Sequence, residues 1–493
     1  MGINTLFNIG ESAVTAQRLA IEVTSQNIAN VNTAGYSRQR AIMETGPTVV
    51  SAGISIGSGV RLADVQRSYD SLLQTQITNG NSTAGKDSAL LSSLQQVEPY
   101  FNELTNNGLG QAMEDFFNSW HDLSVNPQGT PEREAVLARA QVLVNTFHQL
   151  STSLGSVLSS ADTTLSGVSD EITEQAKNLA NLNLQIRTTL QLGGSANELR
   201  DQRDYLIQQL SSNVGVTVSP EDSEGMVTVS LSSAVGAPPA NALVSGIDYR
   251  RVYAYDNGTD NDLYLTALGN PPPDAVAPPA GAIGTLVTDT IGGTGNSLGK
   301  IGGTLQIRDS IVGGTGDTYL ARLDEMANQL VSVVNTQHAD GFGLDGLDGR
   351  NFFNPANVTS GTISLDASLT TAKIAAGGTA VGTGDNTNAL LLAGLKSTDA
   401  TFTVDGTPLD TTFGGYYNTF VSKVGIDVQS ATNATKQNDG FLRQLNSLRE
   451  SNSGVSLDEE LTNLIKYQRA FEAAAKTINA ATDMMDIVLG MVR

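Results

Sequence analysis

The sequence predicts a mainly α-helical protein with β insertions, in which long coiled-coil-like helices from both chain ends form a discontinuous, rod-like body. Three observations support this fold class. Both ends of the 493-residue chain carry apolar residues at seven-residue spacing, long amphipathic stretches occupy much of the interior, and strand-like alternation is confined to two stretches. Strands that interrupt helical segments imply inserted β domains that project outward.

Two heptad stripes mark the chain ends. They comprise Phe7, Val14, Ile21 and Ile28 near the N-terminus, and Leu457, Leu464, Phe471, Ile478, Met485 and Val492 near the C-terminus. A second apolar row runs beside each stripe, so each helix needs partners on more than one side. The stripes therefore predict an assembly interface, in which these helices pair with each other or with neighbouring copies. Burial within one large domain is the alternative interpretation.

The free-energy balance of these ends favours ordering during assembly. Burying the apolar side chains of the C-terminal stripe contributes about 10–18 kcal/mol, at ~1.5–3 kcal/mol each. Ordering roughly forty residues costs several tens of kcal/mol, at ~1–2 kcal/mol per residue. We therefore hypothesise that both termini are mobile in the free monomer and become helical on assembly.

The stretch from Thr130 to Gly193 predicts one very long helix. Thr130 is the expected N-cap, Pro131 occupies the first helical position, and apolar residues keep their heptad positions over about sixty residues, or about 90 Å. We expect Gly155 and Gly167 to break or bend this helix. Gly193 and the glycine after it are expected to end it.

Further helices and two strand-rich stretches follow. Apolar spacing predicts helices at 320–334 and 417–448. Residues 213–299 are rich in proline and contain the alternating runs MVTVSL and RRVYAYD, which indicates an inserted β domain. Residues 354–414 are rich in Gly and Thr, and TISLDA and TFTVDG within them predict strands.

The predicted domain organisation is nested. The four units are a terminal helical assembly domain (1–65 with 455–493), a long-helix body domain (66–212 with 300–353 and 415–454), an inserted β domain (213–299), and a second, smaller β-rich insertion (354–414).

Composition restricts the partners. The formal net charge of −22 argues against nucleic acid or an anionic membrane as a partner, so protein partners are expected. The chain contains no cysteine, which removes disulfides and thiolate chemistry. No apolar run is long enough to span a bilayer, and the N-terminal residues lack the pattern of a secretory signal peptide. Export, if it occurs, is expected to use another route.

The candidate catalytic motifs lack the predicted secondary structure and residue spacing that catalysis would require. Residues 53–57 (GISIG) match the G-x-S-x-G nucleophile elbow with Ser55 as the nucleophile, but the surrounding alternation predicts a hairpin rather than a strand, turn and helix. His121, His148 and His338 are far apart and lack metal-ligand spacing, so packing or surface roles are expected. We predict no enzymatic activity.

Metal and cofactor motifs are also incomplete. The acidic stretches 256–262 and 340–349 lack the ligand spacing of a calcium-binding EF-hand loop and are interpreted as solvated turns. The glycine cluster at 292–299 does not match a phosphate-binding fingerprint. We therefore expect no metal ion and no cofactor.

The most specific string in the chain follows the N-terminal stripe. SQNIANVNTAGYSRQR at 25–40 contains the pattern A-N-x-x-T-x-G-Y. Its asparagines and glycine suit a helix end and a tight turn into extended structure. The pattern resembles the signature shared by bacterial flagellar rod, hook and hook-associated proteins. Its matching residues are Ala29, Asn30, Thr33, Gly35 and Tyr36.

Internal stretches narrow this resemblance to the hook-associated branch of the family, at the junction between hook and filament. They lie at 116–147, 197–211, 302–312, 323–353 and 457–492, and together they cover most of the helical body. Rod and hook proteins share the end motifs but not the internal ones.

The resemblance implies a non-enzymatic structural subunit, an adapter that is exported by the flagellar type III apparatus and placed outside the cell. Its implied partners are copies of itself in a ring or tube, the hook protein, the second junction protein, and an export chaperone that holds residues 457–492 before assembly. The alternatives are another axial subunit of the hook or rod, or a secreted hydrolase that uses Ser55 or an acidic pair.

Overall fold

The computed structural model describes residues 3–51, 54–101, 108–232, 242–256, 261–272, 299–380, 384–404 and 406–491. The helical content of these described residues is 65%, with long helices at both chain ends and a few small inserted sheets, so the predicted fold class is confirmed. None of the helices within these ranges combines the length and apolar character needed to cross a membrane.

Helices in the described ranges dominate the architecture. They are α1 (Ile3–Ala29), α2 (Ser71–Val97), α3 (Leu109–Val125), α4 (Thr130–Gln191), α5 (Asn197–Asn213), α6 (Gly299–Gln306), α7 (Tyr319–Ala339), α8 (Thr387–Gly394), α9 (Phe413–Ser453) and α10 (Leu457–Met491). A π-helical turn at Ile307–Val312 continues α6, and short 3₁₀ turns lie at Glu98–Phe101, Thr371–Lys373 and Leu395–Ser397.

Strands in these ranges are short and pair only in antiparallel fashion. They are β1 (Gln39–Thr45), β2 (Thr48–Ser51), β3 (Ile54–Gly57), β4 (Val60–Arg67), β5 (Val216–Val218), β6 (Thr228–Leu231), β7 (Ala242–Ser245), β8 (Asp248–Tyr249), β9 (Val252–Asp256), β10 (Asn261–Leu265), β11 (Ala400–Val404) and β12 (Thr407–Thr411). The largest sheet has the order β5-β6-β7-β8, and the other pairs are β1-β4, β2-β3, β9-β10 and β11-β12.

The predicted long helix is α4, with 62 residues and a length of roughly 90 Å at ~1.5 Å per residue. It continues through Gly155 and Gly167, so the expected break is absent; an added Cβ at either position would meet nothing within 4 Å, which places both glycines on an open face. The helix ends before Gly193, whose φ of +83° suits glycine, as predicted.

The predicted N-cap of α4 is wrong. Gly129 is the N-cap residue, and Thr130 is already helical. The reason lies in the preceding turn, which Arg133 holds from inside the first helical turn. The Arg133 guanidinium donates hydrogen bonds of 2.8 and 2.6 Å to the Pro127 carbonyl, and the Arg133 amide donates to the Gly129 carbonyl. These bonds move the helix start one residue toward the N-terminus.

Helix α4 belongs to two hydrophobic cores. Its N-terminal half, including Phe147 and Leu154, packs with α2, α3, α7 and α9. Its C-terminal half, including Leu165 and Ile172, packs with α5, α6 and the strands β5–β10. The described strands between 213 and 299 therefore share a core with the long helix, and residues 273–298, with most of the glycine cluster at 292–299, lie outside the described residues.

The region 354–414 has less β structure than its composition predicts. TFTVDG contributes β11, whereas TISLDA contributes only an isolated bridge between Phe353 and Leu365. Asp366 replaces strand pairing with a local turn, since its carboxylate accepts hydrogen bonds from the Ser368 amide and hydroxyl at 2.8 and 2.7 Å. Helix α8 occupies the middle of the region, so the insertion is mixed rather than β-rich.

His338 has a packing role, in line with the sequence prediction. It is fully buried on α7, accepts a 3.0 Å hydrogen bond from the Ala375 amide through Nε2, and donates a 2.8 Å bond from Nδ1 to the Arg350 carbonyl. Burial lowers its pKa to about 4. The ring therefore remains neutral and connects α7 to the loops that follow it.

The lowered pKa predicts acid sensitivity of this core. An unfolded chain binds a proton at His338 below about pH 6.5, whereas the folded chain does so only near pH 4, so stability falls as pH drops through this window, by about 3 kcal/mol in total. Urea unfolding followed by the fluorescence of Trp120 measures this loss, because the single tryptophan lies 6.1 Å from the His338 ring.

The unfolding free energy of wild-type protein should be lower at pH 4 than at pH 7. His338→Gln should reduce this difference by about 3 kcal/mol. The matched control is His121→Gln on the exposed surface of α3, which should retain the wild-type dependence. An unchanged pH dependence in His338→Gln would contradict the assignment.

Candidate functional site

The two terminal helices form an antiparallel pair, which we call the terminal pair. Near one end, an added Cβ on Gly10 of α1 would lie 2.6 Å from Ile478 Cγ1 on α10. Near the other end, Asn27 donates a hydrogen bond of 3.0 Å to Glu460. Residue numbers thus rise along α1 while they fall along α10. The predicted pairing of the two chain ends is present within one chain.

Small side chains allow this close approach. Ala20 of α1 and Ala481 of α10 are almost fully buried, and Ala474 of α10 is nearly so. Ala16 is buried on a different side of α1, beside Val60 and Leu62. The second apolar row of α1 faces another neighbour, since an added Cβ on Gly59, beside β4, would lie 3.3 Å from Ile9 Cα. Helix α1 therefore has two partners inside its own chain, α10 and the β1-β4 ribbon.

Most of the predicted assembly residues lie on the contact side of the terminal pair, and two of them are exposed. Phe7 is 39% exposed and Leu457 46% exposed. The intermediate members are Val14, Ile21, Ile28, Leu464, Phe471, Ile478 and Met485, all of them partly buried. Val492 lies outside the described residues. On a helix of 3.6 residues per turn, Leu464, Phe471, Ile478 and Met485 share the side of α10 that carries buried Ala474.

A different set of apolar side chains is exposed on α10, and the sequence analysis did not single it out. It comprises Leu461, Ile465, Met484, Ile487 and Met491, with exposed fractions between 42% and 81%. We call this set the outer apolar face. It lies on the side of α10 away from α1 and forms two patches, which are separated by polar residues that include the Arg469–Glu472 ion pair.

A buried polar cluster connects the terminal pair to the rest of the chain. We call it the joint, and it consists of Asn27, Tyr36, Arg38, Gln39 and Glu460. Asn27 is 1% exposed, and its amide makes four hydrogen bonds of 2.8–3.0 Å. Its Nδ2 donates to the Gln39 carbonyl and the Glu460 carboxylate, and its Oδ1 accepts from the Gln39 amide and the Tyr36 hydroxyl. All of its hydrogen-bonding capacity is therefore used.

Charge in the joint is balanced by an ion pair. Glu460 is 2% exposed, and its second oxygen accepts a 2.7 Å bond from Arg38 Nε. Arg38 also contacts Glu459 at 2.6 Å. Burial raises the pKa of the Tyr36 hydroxyl well above its usual range, with added contributions from Glu198 and other nearby carboxylates. Tyr36 thus remains protonated and can donate to Asn27.

The family motif builds this cluster. Helix α1 ends at Ala29, and the Asn30 side chain donates a 3.0 Å bond to the Gln26 carbonyl while accepting a 3.1 Å bond from Thr33. Gly35 has φ +83°, and an added Cβ would lie 2.8 Å from Tyr205 Cβ on α5. These residues turn the chain from α1 into β1 and place Tyr36 against Asn27.

A second contact holds the joint on the body. The Ser37 amide donates a 2.9 Å bond to Asp201 on α5, and Arg67 at the end of β4 bridges Asp201 and Asp204 at 3.1 and 2.6 Å. Burial raises the pKa of the Asp201 carboxyl, although Ser37 and Arg67 partly offset this effect.

The key residues Asn27 and Glu460 were missed at the sequence level, although a signal existed. Glu460 continues the heptad row of Ala474 and Ala481, and Asn27 continues the row of Ala20. A polar residue in a row of buried alanines indicates a specific buried contact.

The proposed catalytic and metal candidates gain no support from the structure. Ser55 lies in β3, which is followed by β4 rather than by a helix, so the nucleophile elbow is absent there. Asp345, in the acidic stretch at 340–349, pairs with Arg350 at 2.6 Å, and four residues of the stretch at 256–262 lie outside the described residues. In the part of the chain that the structure describes, no group of three or more acidic or histidine residues could hold a metal ion.

Removal of the Asn27 amide should loosen the joint. Asn27→Ala leaves the buried Gln39 amide, the Tyr36 hydroxyl and one Glu460 oxygen without their shared partner, so we expect a loss of about 2–3 kcal/mol in the stability of this contact. Amide hydrogen exchange at the start of α10 measures the loss. Asn32→Ala, on the exposed turn, is the matched control and should leave exchange unchanged; equal exchange in both variants would contradict this role of Asn27.

Family models match three parts of the chain. Residues 94–353 match the flagellar hook-associated protein FlgK helical domain. Residues 7–36 match the flagella basal body rod protein family, and residues 449–491 match the flagellar basal body rod FlgEFG protein C-terminal family. The rod-type matches thus cover most of α1 with the whole A-N-x-x-T-x-G-Y pattern, and α10, whereas the FlgK match covers much of the body.

Similar proteins agree with these matches. The chain is 29% identical to flagellar hook-associated protein 1 of Bacillus subtilis, over 99% of this chain and 97% of the relative. It is 26% identical to flagellar hook-associated protein 1 of Salmonella typhimurium, over 99% of this chain and all of the relative. The solved structure of the flagellar hook junction protein FlgK from Burkholderia pseudomallei shares the fold, with a TM-score of 0.64 and 16% identity over 77% of this chain and all of that one.

The family model for the FlgK helical domain spans more than half of the sequence. The chain therefore belongs to the FlgK family of flagellar hook-associated proteins and is a structural component of the bacterial flagellum rather than an enzyme.

Proposed function

We propose that the chain is the adapter at the hook–filament junction and that it assembles with copies of itself, in a ring or tube, through the terminal pair. The observation that supports this most directly is the outer apolar face of α10, where Ile465 and Ile487 are 59% and 63% exposed. Apolar side chains that recur along one exposed helix face are typical of a surface that another chain covers.

The proposal combines two contributions from the helices. The predicted interface residues such as Phe471 hold α10 against α1, and the outer apolar face meets the neighbouring copy. The joint holds the terminal pair in a fixed position relative to the body, because the Glu460–Arg38 ion pair connects α10 with the start of β1. The hook protein on one side and the second junction protein on the other are the proposed axial partners.

An export chaperone is the proposed partner before assembly. Residues 457–492 would expose the outer apolar face in the cell, and a chaperone that covers it would prevent premature association. Export through the flagellar type III apparatus and an extracellular position follow from this proposal.

A charge on the outer apolar face should block assembly without unfolding the monomer. In a deletion strain, we expect Ile465→Asp to give hooks without filaments and flagellin in the medium, because an aspartate in an apolar contact between copies loses its water. Electron microscopy of isolated hooks is the measurement. Monomer stability should fall by no more than about 0.5 kcal/mol, the cost of aspartate at an exposed helix position.

The control for this experiment is Gln185→Asp, exposed on α4 and outside the outer apolar face, which carries a similar helix-propensity cost and should still support filaments. Normal filaments on Ile465→Asp cells, or filament loss in both variants, would contradict an assembly role for this face.

The hypothesis of mobile termini leads to a second prediction. In dilute monomer, we expect rapid amide exchange in the far ends of the terminal pair, near Gly10 and Ile478, and slower exchange near Asn27 and Glu460, where the joint anchors them. Helix α4, buried in both cores, should exchange slowest of the three. Strong protection along the whole of α1 in the monomer would refute the hypothesis.

A further inference from the structure

A second surface of the chain, formed by other elements than the outer apolar face, also has the features of a contact site. It is an opening of about 1170 Å³ between the end of β4, the start of α2, helix α5 and strand β5, which we call the edge cleft. Three of its lining residues are apolar or aromatic and strongly exposed, namely Tyr69 (44%), Leu72 (68%) and Val218 (39%). The described residues of one chain thus leave it uncovered.

One wall of the edge cleft is the free edge of a sheet. Strand β5 is the outermost strand in the order β5-β6-β7-β8. The Ser232 amide donates to the Gly215 carbonyl and the Ser219 amide donates to the Thr228 carbonyl. Antiparallel bonds alternate along a strand, so the main-chain groups of Thr217 also face β6, whereas those of Val216 and Val218 face the opposite way. Val216 is buried, so this edge is open to a further strand at Val218.

Arginines and carboxylates that line the edge cleft pair with one another, and Asp64 is a further charged lining residue. Arg67 contacts Asp204 at 2.6 Å, and Arg200 and Arg203 both pair with Glu221. Arg203 is 1% exposed, and its Nε has no hydrogen-bond partner among the described residues. An acidic strand would therefore find no unpaired arginine among these three residues.

The chain contains an uncharged strand pair that is itself incomplete. Strands β2 (Thr48–Ser51) and β3 (Ile54–Gly57), which we call hairpin β2-β3, form a separate two-stranded sheet. In the sequence, no charged residue occurs between Gly46 and Val60. The sequence of the hairpin is rich in the β-branched residues valine and isoleucine. A two-stranded hairpin is marginal alone and gains from pairing with further strands.

Hairpin β2-β3 and the edge cleft of the same chain lie at opposite ends of β4, so the hairpin does not reach the cleft of its own chain. Thr45 pairs with Val60 and Thr48 pairs with Gly57, so β2-β3 extends the β1-β4 ribbon. Arg67 lies in the edge cleft at the opposite end of β4, about 25 Å away at ~3.3 Å per residue. A head-to-tail contact between copies avoids this separation and repeats around a ring or tube.

We propose that the edge cleft receives hairpin β2-β3 of a second copy of this chain, as a strand added to the free edge of β5. The inference rests on the proposed function, which brings copies together at the junction. Backbone hydrogen bonds from Val218 hold the added strand, and Leu72 and Tyr69 cover its side chains.

Chemical cross-linking tests the contact, because the chain has no native cysteine. In isolated hook–filament junctions, a chain with both Ser55→Cys and Thr217→Cys should give a ladder of covalent oligomers with a short bismaleimide. Ser55→Cys with Thr407→Cys, on the exposed strand β12, is the matched control and should give at least tenfold less. An equal ladder in the control, or a bond within single chains, overturns the proposal.

Immunoblotting for the chain in the same junctions separates the two proposals. A chain that is present but gives no ladder overturns the edge-cleft contact alone, whereas an absent wild-type chain overturns the proposed function and this contact with it.

Val218→Pro provides an independent test. Proline removes an amide that faces away from β6, so the monomer should keep its unfolding midpoint while the cross-linked ladder falls at least tenfold. Val218→Thr keeps the amide and should retain the ladder. A full ladder with Val218→Pro would overturn the role of the β5 edge.

Discussion

The hydrogen bond between Asn27 and Glu460 joins residues 433 positions apart, and the arrangement of both chain ends depends on it. Both side chains are almost fully buried, so each needs its partners. Asn27 uses its whole hydrogen-bonding capacity inside the joint, and Arg38 balances the carboxylate of Glu460. A buried polar contact of this kind specifies register rather than adding much stability. It fixes where α10 begins relative to the end of α1, and α5 then fixes both relative to the body.

The terminal pair is built to leave apolar surface available. Small residues allow the two helices to lie close together, since Gly10 lies against Ile478 and the side chains of Ala20 and Ala481 are buried. The inner contact therefore fully buries alanines rather than large apolar side chains. Large apolar residues such as Ile465 and Ile487 remain outside. The contact between α1 and α10 thus contributes to folding, whereas the outer apolar face is left for partners. It also suits a subunit whose ends become fully covered only in an assembly.

In the body, one long helix holds two hydrophobic cores together, because α4 is long enough to contribute side chains to both. Its N-terminal half belongs to a helical core with Phe147, and its C-terminal half supports the β5–β8 sheet through residues such as Ile172. Helical and β regions are thereby held by one continuous element. Glycines on an open face, at 155 and 167, do not interrupt it, since the packed side of the helix retains its apolar residues.

By itself, the sequence determined the helical class, the length of α4 and the end of α1 at the motif, because these depend on periodicity and on local turn chemistry. It did not determine which face of α10 meets α1. Heptad spacing marks Phe471 and Ile478 as apolar but does not distinguish a partner in the same chain from one in another. TISLDA alternates like a strand, yet Asp366 turns the chain there. Only the tertiary structure showed that Glu460 and Asn27 meet and that β5 has a free edge, since both depend on contacts between residues far apart in the sequence.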